Sequence, residues 1–157
     1  MSEQRAIEAL EATGLDFTLT RHGRVSSLAE AAEARGVQPR DLIKTLVVRR
    51  ADDDFLFVLV PGDREISWPK LRSLLRVSRM SMPDKDVAKQ ATGYERGTIT
   101  PFGSTTAWPV VADASLAGEP DRMISLGAGA HGVAVTVNAE AAIAALEAQV
   151  ADVTELQ

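Results

Sequence analysis

The chain has no cysteine in 157 residues. That excludes disulfides, thiolate metal sites and a cysteine nucleophile. Histidine is nearly absent too, with His22 and His131 far apart in sequence. Neither has metal-ligand spacing such as H-x3-H, so no metal site is expected. No apolar run approaches the ~20 residues that span a bilayer. The opening Met-Ser-Glu-Gln-Arg-Ala-Ile-Glu lacks the apolar core of a signal peptide, so a soluble cytoplasmic protein is expected. Several motifs are also missing: the G-x-S-x-G elbow, the P-loop, and G-x-G-x-x-G after a strand. The Gly127-Ala-Gly129 stretch lacks the third glycine of the last pattern. Lysine is scarce, with four beside thirteen arginines.

What is present reads as a globular protein. Hydrophobic content is 45% and charged content 25%. The length suits one domain over residues 1–157, with a real core. A net charge of −5 argues against non-specific nucleic-acid binding by the whole surface. The charge is uneven, however. Residues 67–82 carry Lys70, Arg72, Arg76 and Arg79 with no acid, and Lys85, Lys89 and Arg96 follow. This segment is either a solvated helix face or a phosphate-contacting one.

The apolar periodicity alternates between helix and strand. Residues 5–13 form a helix stopped by Gly14, and 17–20 a short strand. Ser27-Leu-Ala-Glu30 reads as a capping box opening a helix to Gly36. A helical turn at 39–42 precedes strands 45–50 and 55–60, joined as a hairpin across an acidic turn. After a turn at 61–63, Ser67 caps a helix through Leu75 with Pro69 in its first turn. A strand at 77–80 and a helix at 84–91 come next, then strands at 110–112, 123–126 and 133–137. Asn138 caps a last helix over 139–150. Hairpins mixed with scattered helices predict an α+β fold around one curved sheet.

Two features carry chemical information. Residues 93–103 read Gly-Tyr-Glu-Arg-Gly-Thr-Ile-Thr-Pro-Phe-Gly, a G-x3-G-x3-P-x-G loop. Such a loop either turns the chain or aims its free N–H groups at a phosphate, a carboxylate or a polarised carbonyl. The second feature is Lys44, a charge set into the strand-like run Leu-Ile-Lys-Thr-Leu-Val-Val. Its ammonium either snorkels to water or is a compact donor for a phosphate or ribose hydroxyl. His131, in the second glycine loop 127–132, can line a pocket. His22 reads as a surface loop residue.

These pieces resemble, in order, the YbaK/ProX family of free-standing aminoacyl-tRNA deacylases, related to the editing insertion of bacterial prolyl-tRNA synthetases. The matching segments are Thr20 to Ala32, the lysine strand 42–48, Val60-Pro-Gly-Asp63, the glycine loop, Trp108 to Asp113, and Ser125-Leu-Gly-Ala-Gly129. The resemblance covers about residues 5–150. It implies a mixed, barrel-like curved β-sheet flanked by helices, and hydrolysis of the ester joining an amino acid to the terminal ribose of tRNA. Lys44 is implied to hold the terminal adenosine or its phosphate. Gly97, Thr98, Ile99, Thr100 and Pro101 are implied to form the loop that binds the ester carbonyl. Gly93, Gly103, Gly127, Gly129, His131 and Ala134 are the expected substrate-binding set. Lys70, Arg72, Arg76 and Arg79 are expected near the tRNA acceptor stem, because no acid interrupts them. The implied partners are a mischarged aminoacyl-tRNA, of tRNA-Pro type, and a synthetase. No cofactor, metal or membrane is implied.

One position departs from the family pattern. Where the cysteinyl-specific lineage carries an aspartate and the synthetase insertion a histidine, the ungapped register places Ala134. A roomier, less polar pocket for a small amino acid such as serine or threonine is expected, with some promiscuity. Two other classes stay open: a silent tRNA- or synthetase-binding module of the same fold, and a hydrolase of another small acyl ester.

Overall fold

A computed structural model describes residues 2–157. The element order is α1 (Ser2–Thr13), β1 (Phe17–Arg21), α2 (Leu28–Arg35), a 3-10 turn (Pro39–Asp41), β2 (Ile43–Ala51), β3 (Asp54–Pro61), β4 (Arg64–Ile66), α3 (Trp68–Leu75) and α4 (Lys85–Thr92). There follow β5 (Val110–Asp113), a 3-10 turn (Ala114–Leu116), β6 (Met123–Gly127), β7 (Val133–Asn138), α5 (Ala139–Ala145), β8 (Gln149–Ala151) and β9 (Thr154–Leu156). No helix among the described residues is long and apolar enough to cross a membrane.

The fold is mixed α+β, as expected. The strands form three ladders, ordered β1-β7-β6, β2-β3-β5-β8 and β4-β9. In the second, β2 runs antiparallel to β3, whereas β3–β5 and β5–β8 are parallel. A single bridge, Leu42 to Ser125, links the first ladder to the second. The curved sheet is thus open rather than closed: the two larger sheets touch at one corner, and β4-β9 forms a third, two-stranded ladder.

Strand β3 explains the layering. Its Phe-Leu-Phe-Val-Leu-Val run is buried on both faces, as in strands covered from both sides. Phe55, Phe57 and Leu59 join a core shared with β6, β7, α1 and α5. Leu56, Val58 and Val60 face a second core with Ile66, Leu71 and Val153. Truncating one of the phenylalanines to alanine removes about 3–5 kcal/mol in such a site.

Several expected elements differ. Residues 77–80 are not a strand: Arg76 ends α3 with φ 57°, and only Ser81 pairs, with Arg49. The last helix stops at Ala145 rather than at 150, because Gln149–Ala151 adds parallel to the free edge of β5. Edge pairing overrides helix periodicity there. Ser67 occupies the N-cap of α3, but its hydroxyl makes no cap bond. At α2 the box is offset by one residue. Ser27 Oγ accepts from the Glu30 N–H, and the Glu30 carboxylate accepts from the Ser26 N–H and hydroxyl.

Two buried polar ties hold the frame. Arg122 donates to Asp41 Oδ1 (2.8 Å), to the Ser115 carbonyl (2.7 Å) and to the Arg40 carbonyl (2.8 Å). Asp113, 1% exposed, accepts from the Ser115 N–H and hydroxyl and from the Val153 N–H (3.1 Å). Burial alone would raise its pKa. The hydrogen bonds from Ser115, Val153 and Thr154 outweigh this and hold it below the usual carboxylate value.

A third tie fixes the glycine loop 93–103 to α1. Arg5 Nε donates to the Gly103 carbonyl (2.7 Å) and a terminal nitrogen to the Gly93 carbonyl (2.9 Å). The same guanidinium lies 4.6 Å from the centre of the Tyr94 ring. Tyr94 is fully buried and donates its hydroxyl to the Phe102 carbonyl at 2.6 Å. Both ends of the loop thus hang on one cation and one ring.

Two outcomes test these ties. Asp113→Ala leaves the buried Val153 N–H without an acceptor and should cost about 1–3 kcal/mol in denaturant unfolding at neutral pH. Because the folded pKa is depressed, wild-type stabilisation from Asp113 is present above about pH 4 and fades as pH falls through the folded value. The gap to Asp113→Asn should therefore shrink in acid, and a gap that is constant with pH argues against the charge. Arg5→Ala should lower stability by about 1.5–3 kcal/mol and speed amide exchange within 93–103. Arg5→Lys should not restore it, since an ammonium cannot match the two-carbonyl fork.

Candidate active site

A cleft lies against the outer edge of β2. That edge is bridged at Leu42 and at Arg49, and between these points it has no strand neighbour among the described residues. Residues 42–47 form one wall of a cavity of about 580 Å³. The C-terminal end of α2 supplies Arg35, α4 supplies Lys85 and Ala88, and β6 supplies Gly127. Arg96, Gly97 and Ile99 of the glycine loop close the far side.

The charge of this lining is one-sided. It holds Arg35, Lys44, Lys85 and Arg96 and no carboxylate. Lys44 Nζ donates to the Arg64 carbonyl at 2.7 Å. An ammonium has three donors, so further capacity remains. Burial lowers the Lys44 pKa, while Glu65 and Asp63 pull it back up. Lys44 thus forms part of the cleft wall, while its ammonium is held at the Arg64 carbonyl of β4.

The glycine loop divides its work. The Thr98 N–H donates to the Glu95 carbonyl (2.9 Å), and its hydroxyl to the same oxygen (2.7 Å). The Thr98 carbonyl accepts from the Gly129 N–H at 3.0 Å. Thr100 is buried, and its hydroxyl accepts from the Phe102 N–H. Pro101 is buried with it. These three residues hold the loop's shape. Gly97 and Ile99 line the cleft, and neither N–H has an acceptor among the described residues.

The glycines divide in the same way. A Cβ on Gly93 would sit 2.5 Å from the Arg5 guanidinium. One on Gly103 would meet the Arg5 carbonyl at 2.6 Å, and one on Gly129 the Ser2 carbonyl at 2.7 Å. Those three glycines make room for α1, Arg5 and Tyr94, away from the cleft. Gly97 has space but adopts φ +90°, which a side chain resists. Gly127 lies under the loop, 3.4 Å from the Ile99 carbonyl at its Cβ position.

The remaining candidates lie around this centre. Ala134 is fully buried and pairs with Gly127, so it shares that face of the sheet without lining the cleft itself. His131 is exposed, 3.6 Å from Glu95, and its ring borders Gly97. His22 donates its N–H to the Gly132 carbonyl, outside the cleft. Among the described residues, no three His, Cys, Asp or Glu come together as a metal-binding group.

The basic segment forms a second, shallower groove of about 470 Å³ along the same β2 strand, with Arg72 and Arg79 in its wall. Arg49 and Arg50 join them, which the reading of residues 67–82 alone missed. Arg49 pairs with Asp52, and Arg50 with Asp54 at 2.9 Å. Lys70 is turned away, held by Asp152 (3.0 Å) and the Thr154 carbonyl (3.0 Å). Arg76 ends α3 and does not line the groove.

Sequence reasoning also missed Arg5 and Arg35. A signal existed for Arg5, because a cation in the first turn of a helix opposes the dipole unless a tertiary partner holds it. Arg35 has the opposite character, since a cation in the last turn of α2 looks like an ordinary dipole partner.

Comparison with known proteins agrees with the mixed α+β fold. The sequence model of the aminoacyl-tRNA editing domain matches residues 22–144. Proline--tRNA ligase of Citrifermentans bemidjiense is 35% identical over 92 residues, covering 59% of this chain and 16% of that enzyme. The corresponding ligase of Bacillus licheniformis is 30% identical over 89 residues, covering 57% and 15%. The chain thus aligns with only about a sixth of these synthetases. A crystal structure described as a proposed trans-editing enzyme for prolyl-tRNA synthetase superposes with TM-score 0.87 at 25% identity, covering 98% of this chain and 97% of that one. The chain belongs to the aminoacyl-tRNA editing domain family.

Proposed function

We propose that the chain acts as one deacylase unit, hydrolysing the ester of a mischarged tRNA that carries a small amino acid. The observation that carries this reading is the cleft itself. It gathers four cations and two free loop N–H groups in a wall without a carboxylate, on a protein of net charge −5. Such a site favours a phosphate-bearing substrate with a carbonyl to polarise. Similarity to a part of proline--tRNA ligases, together with the editing-domain family, supports tRNA-Pro as the tRNA, and work on aminoacyl-tRNA in the cytoplasm.

The division of labour follows from chemistry. Lys44 holds the terminal adenosine or its phosphate as a compact charge. The N–H groups of Gly97 and Ile99 donate to the oxygen of the ester carbonyl as it becomes an oxyanion. One such donor is worth about 10²–10³ in rate. An aminoacyl ester is already activated, so orientation and oxyanion stabilisation supply most of what hydrolysis needs. Water adds to the carbonyl carbon, the tetrahedral intermediate collapses, and the ribose hydroxyl leaves with a proton. Ala134, the cross-strand partner of Gly127, keeps the sheet beside the cleft apolar and uncrowded, which suits small side chains. The Arg72–Arg79 groove continues from the cleft along β2. Five strand residues separate Thr45 from Arg50, about 17 Å at strand rise. A tRNA acceptor stem leaving the cleft would run over it.

The test is deacylation of alanyl-, seryl-, threonyl- and cysteinyl-tRNA by wild type and by Lys44→Ala. The variant should stay folded and lose about 10–100-fold or more in kcat/KM, the range expected for a charge-assisted contact. Wild-type rates in Lys44→Ala would remove the lysine from the site. Wild-type protein that binds the panel but hydrolyses none of it would make the chain a binding module. Neutralising Arg72 and Arg79 together should weaken tRNA binding and flatten its salt dependence, with little effect on a small aminoacyl ester. Equal losses on both substrates would remove the groove from tRNA binding.

A further inference from the structure

Arg35 is the one cation of the cleft on the C-terminal turn of α2, and its partners do not match its charge. It is half-buried, and among the described residues it has no carboxylate within ion-pair distance. Its single hydrogen bond is a long one, 3.4 Å, to the hydroxyl of Ser125. Its Nε is buried without a partner, and so is the hydroxyl of Thr45, which lines the same cleft from β2.

Arg122 is the internal control. It is more deeply buried than Arg35, yet Asp41 and two carbonyls at 2.7–2.8 Å satisfy it. A guanidinium taken out of water without such partners is costly. Nor is Arg35 needed to finish its helix. The Gly36 N–H, in a left-handed conformation, already caps the Ala32 and Glu33 carbonyls. A cation serving only the helix dipole would act equally well in solvent. Burial pushes its pKa down, but a guanidinium stays charged near neutral pH.

Resting on the deacylase reading of the cleft, we propose that Arg35, held to Ser125, together with Thr45 of the same cleft wall, forms a specificity-determining subsite for an oxyanion of the bound substrate. Two sources have this chemistry. One is a carboxylate on the side chain of the aminoacyl group. The other is the phosphate on the 5′ side of the terminal adenosine. A guanidinium binds either through paired N–H donors, and the Thr45 hydroxyl adds a third. In the first case the pocket accepts a short acidic residue as well as a small neutral one. In the second, Arg35 and Lys44 share the backbone of the acceptor end.

Non-hydrolysable probes separate these cases without relying on catalysis. They are adenosines bearing an amide-linked alanine or aspartate on the 3′ position, each made with and without a 5′-phosphate. Calorimetric affinities are measured for wild type, Arg35→Leu and Arg35→Gln. Circular dichroism checks the fold, and the glutamine variant preserves a polar stem should leucine fail to fold. The expected result is a loss about 10–100-fold larger for the oxyanion-bearing probes than for neutral alanyl-adenosine. A loss that follows the aspartyl group assigns the subsite to the amino acid, and one that follows the phosphate assigns it to the backbone. Equal losses on all four probes, or none, overturn the subsite. Wild-type protein that hydrolyses mischarged tRNA while its probe binding ignores Arg35 overturns the subsite alone. Wild-type protein that binds no probe overturns the deacylase reading with it.

Discussion

The fork of Arg5 onto the Gly93 and Gly103 carbonyls is the contact on which the candidate site depends. A loop with three positive-φ glycines at 93, 97 and 103 has little conformation of its own, because glycine loses more freedom on folding than any other residue. Its shape must come from outside. Arg5 supplies it by tying both ends to α1 and lying over the Tyr94 ring, which is held in turn by the Phe102 carbonyl. Only then does the middle of the loop present Gly97 and Ile99 to the cleft. Residue 5 lies outside the span 22–144 matched by the family model, so the helix before that span is part of the scaffold of the site.

A second constraint is the open edge of β2. Unpaired strand edges are normally covered or charged. Here the bridges at Leu42 and Arg49 cover the two ends and leave the stretch between to the cleft. The strand then serves both sides. Its Ile43 and Val47 enter the larger core, while Lys44 reaches the Arg64 carbonyl on the other face. Lys44 is therefore rigidly placed even though it carries charge.

The buried polar groups divide by how well they are satisfied. Arg122 and Asp113 have several partners each and act as frame. Arg35 and Thr45 are under-partnered and lie in the cleft wall. Satisfied polar groups rigidify a fold, whereas unsatisfied ones mark a place where a ligand can contribute what the protein withholds.

By itself the sequence determined the elements and their order wherever the signal is local. The apolar run of β3, the Ser27 and Asn138 caps and the glycine stop at 36 are readable because capping and periodicity act within a few residues. It also marked Lys44 and the 93–103 loop as chemical, since a charge in an apolar strand and repeated glycines are visible without a fold. Tertiary structure decided the rest. The three-residue strands β4, β8 and β9 exist only because a partner edge is present, so no local pattern announces them. Whether a glycine serves the cleft or makes room for Arg5 depends on neighbours ninety residues away. Lys70 looked free along its own segment and is neutralised by Asp152 from the far end of the chain. Arg35 reads along α2 as a helix-dipole partner, and only the fold sets it opposite Ser125 with no carboxylate partner among the described residues.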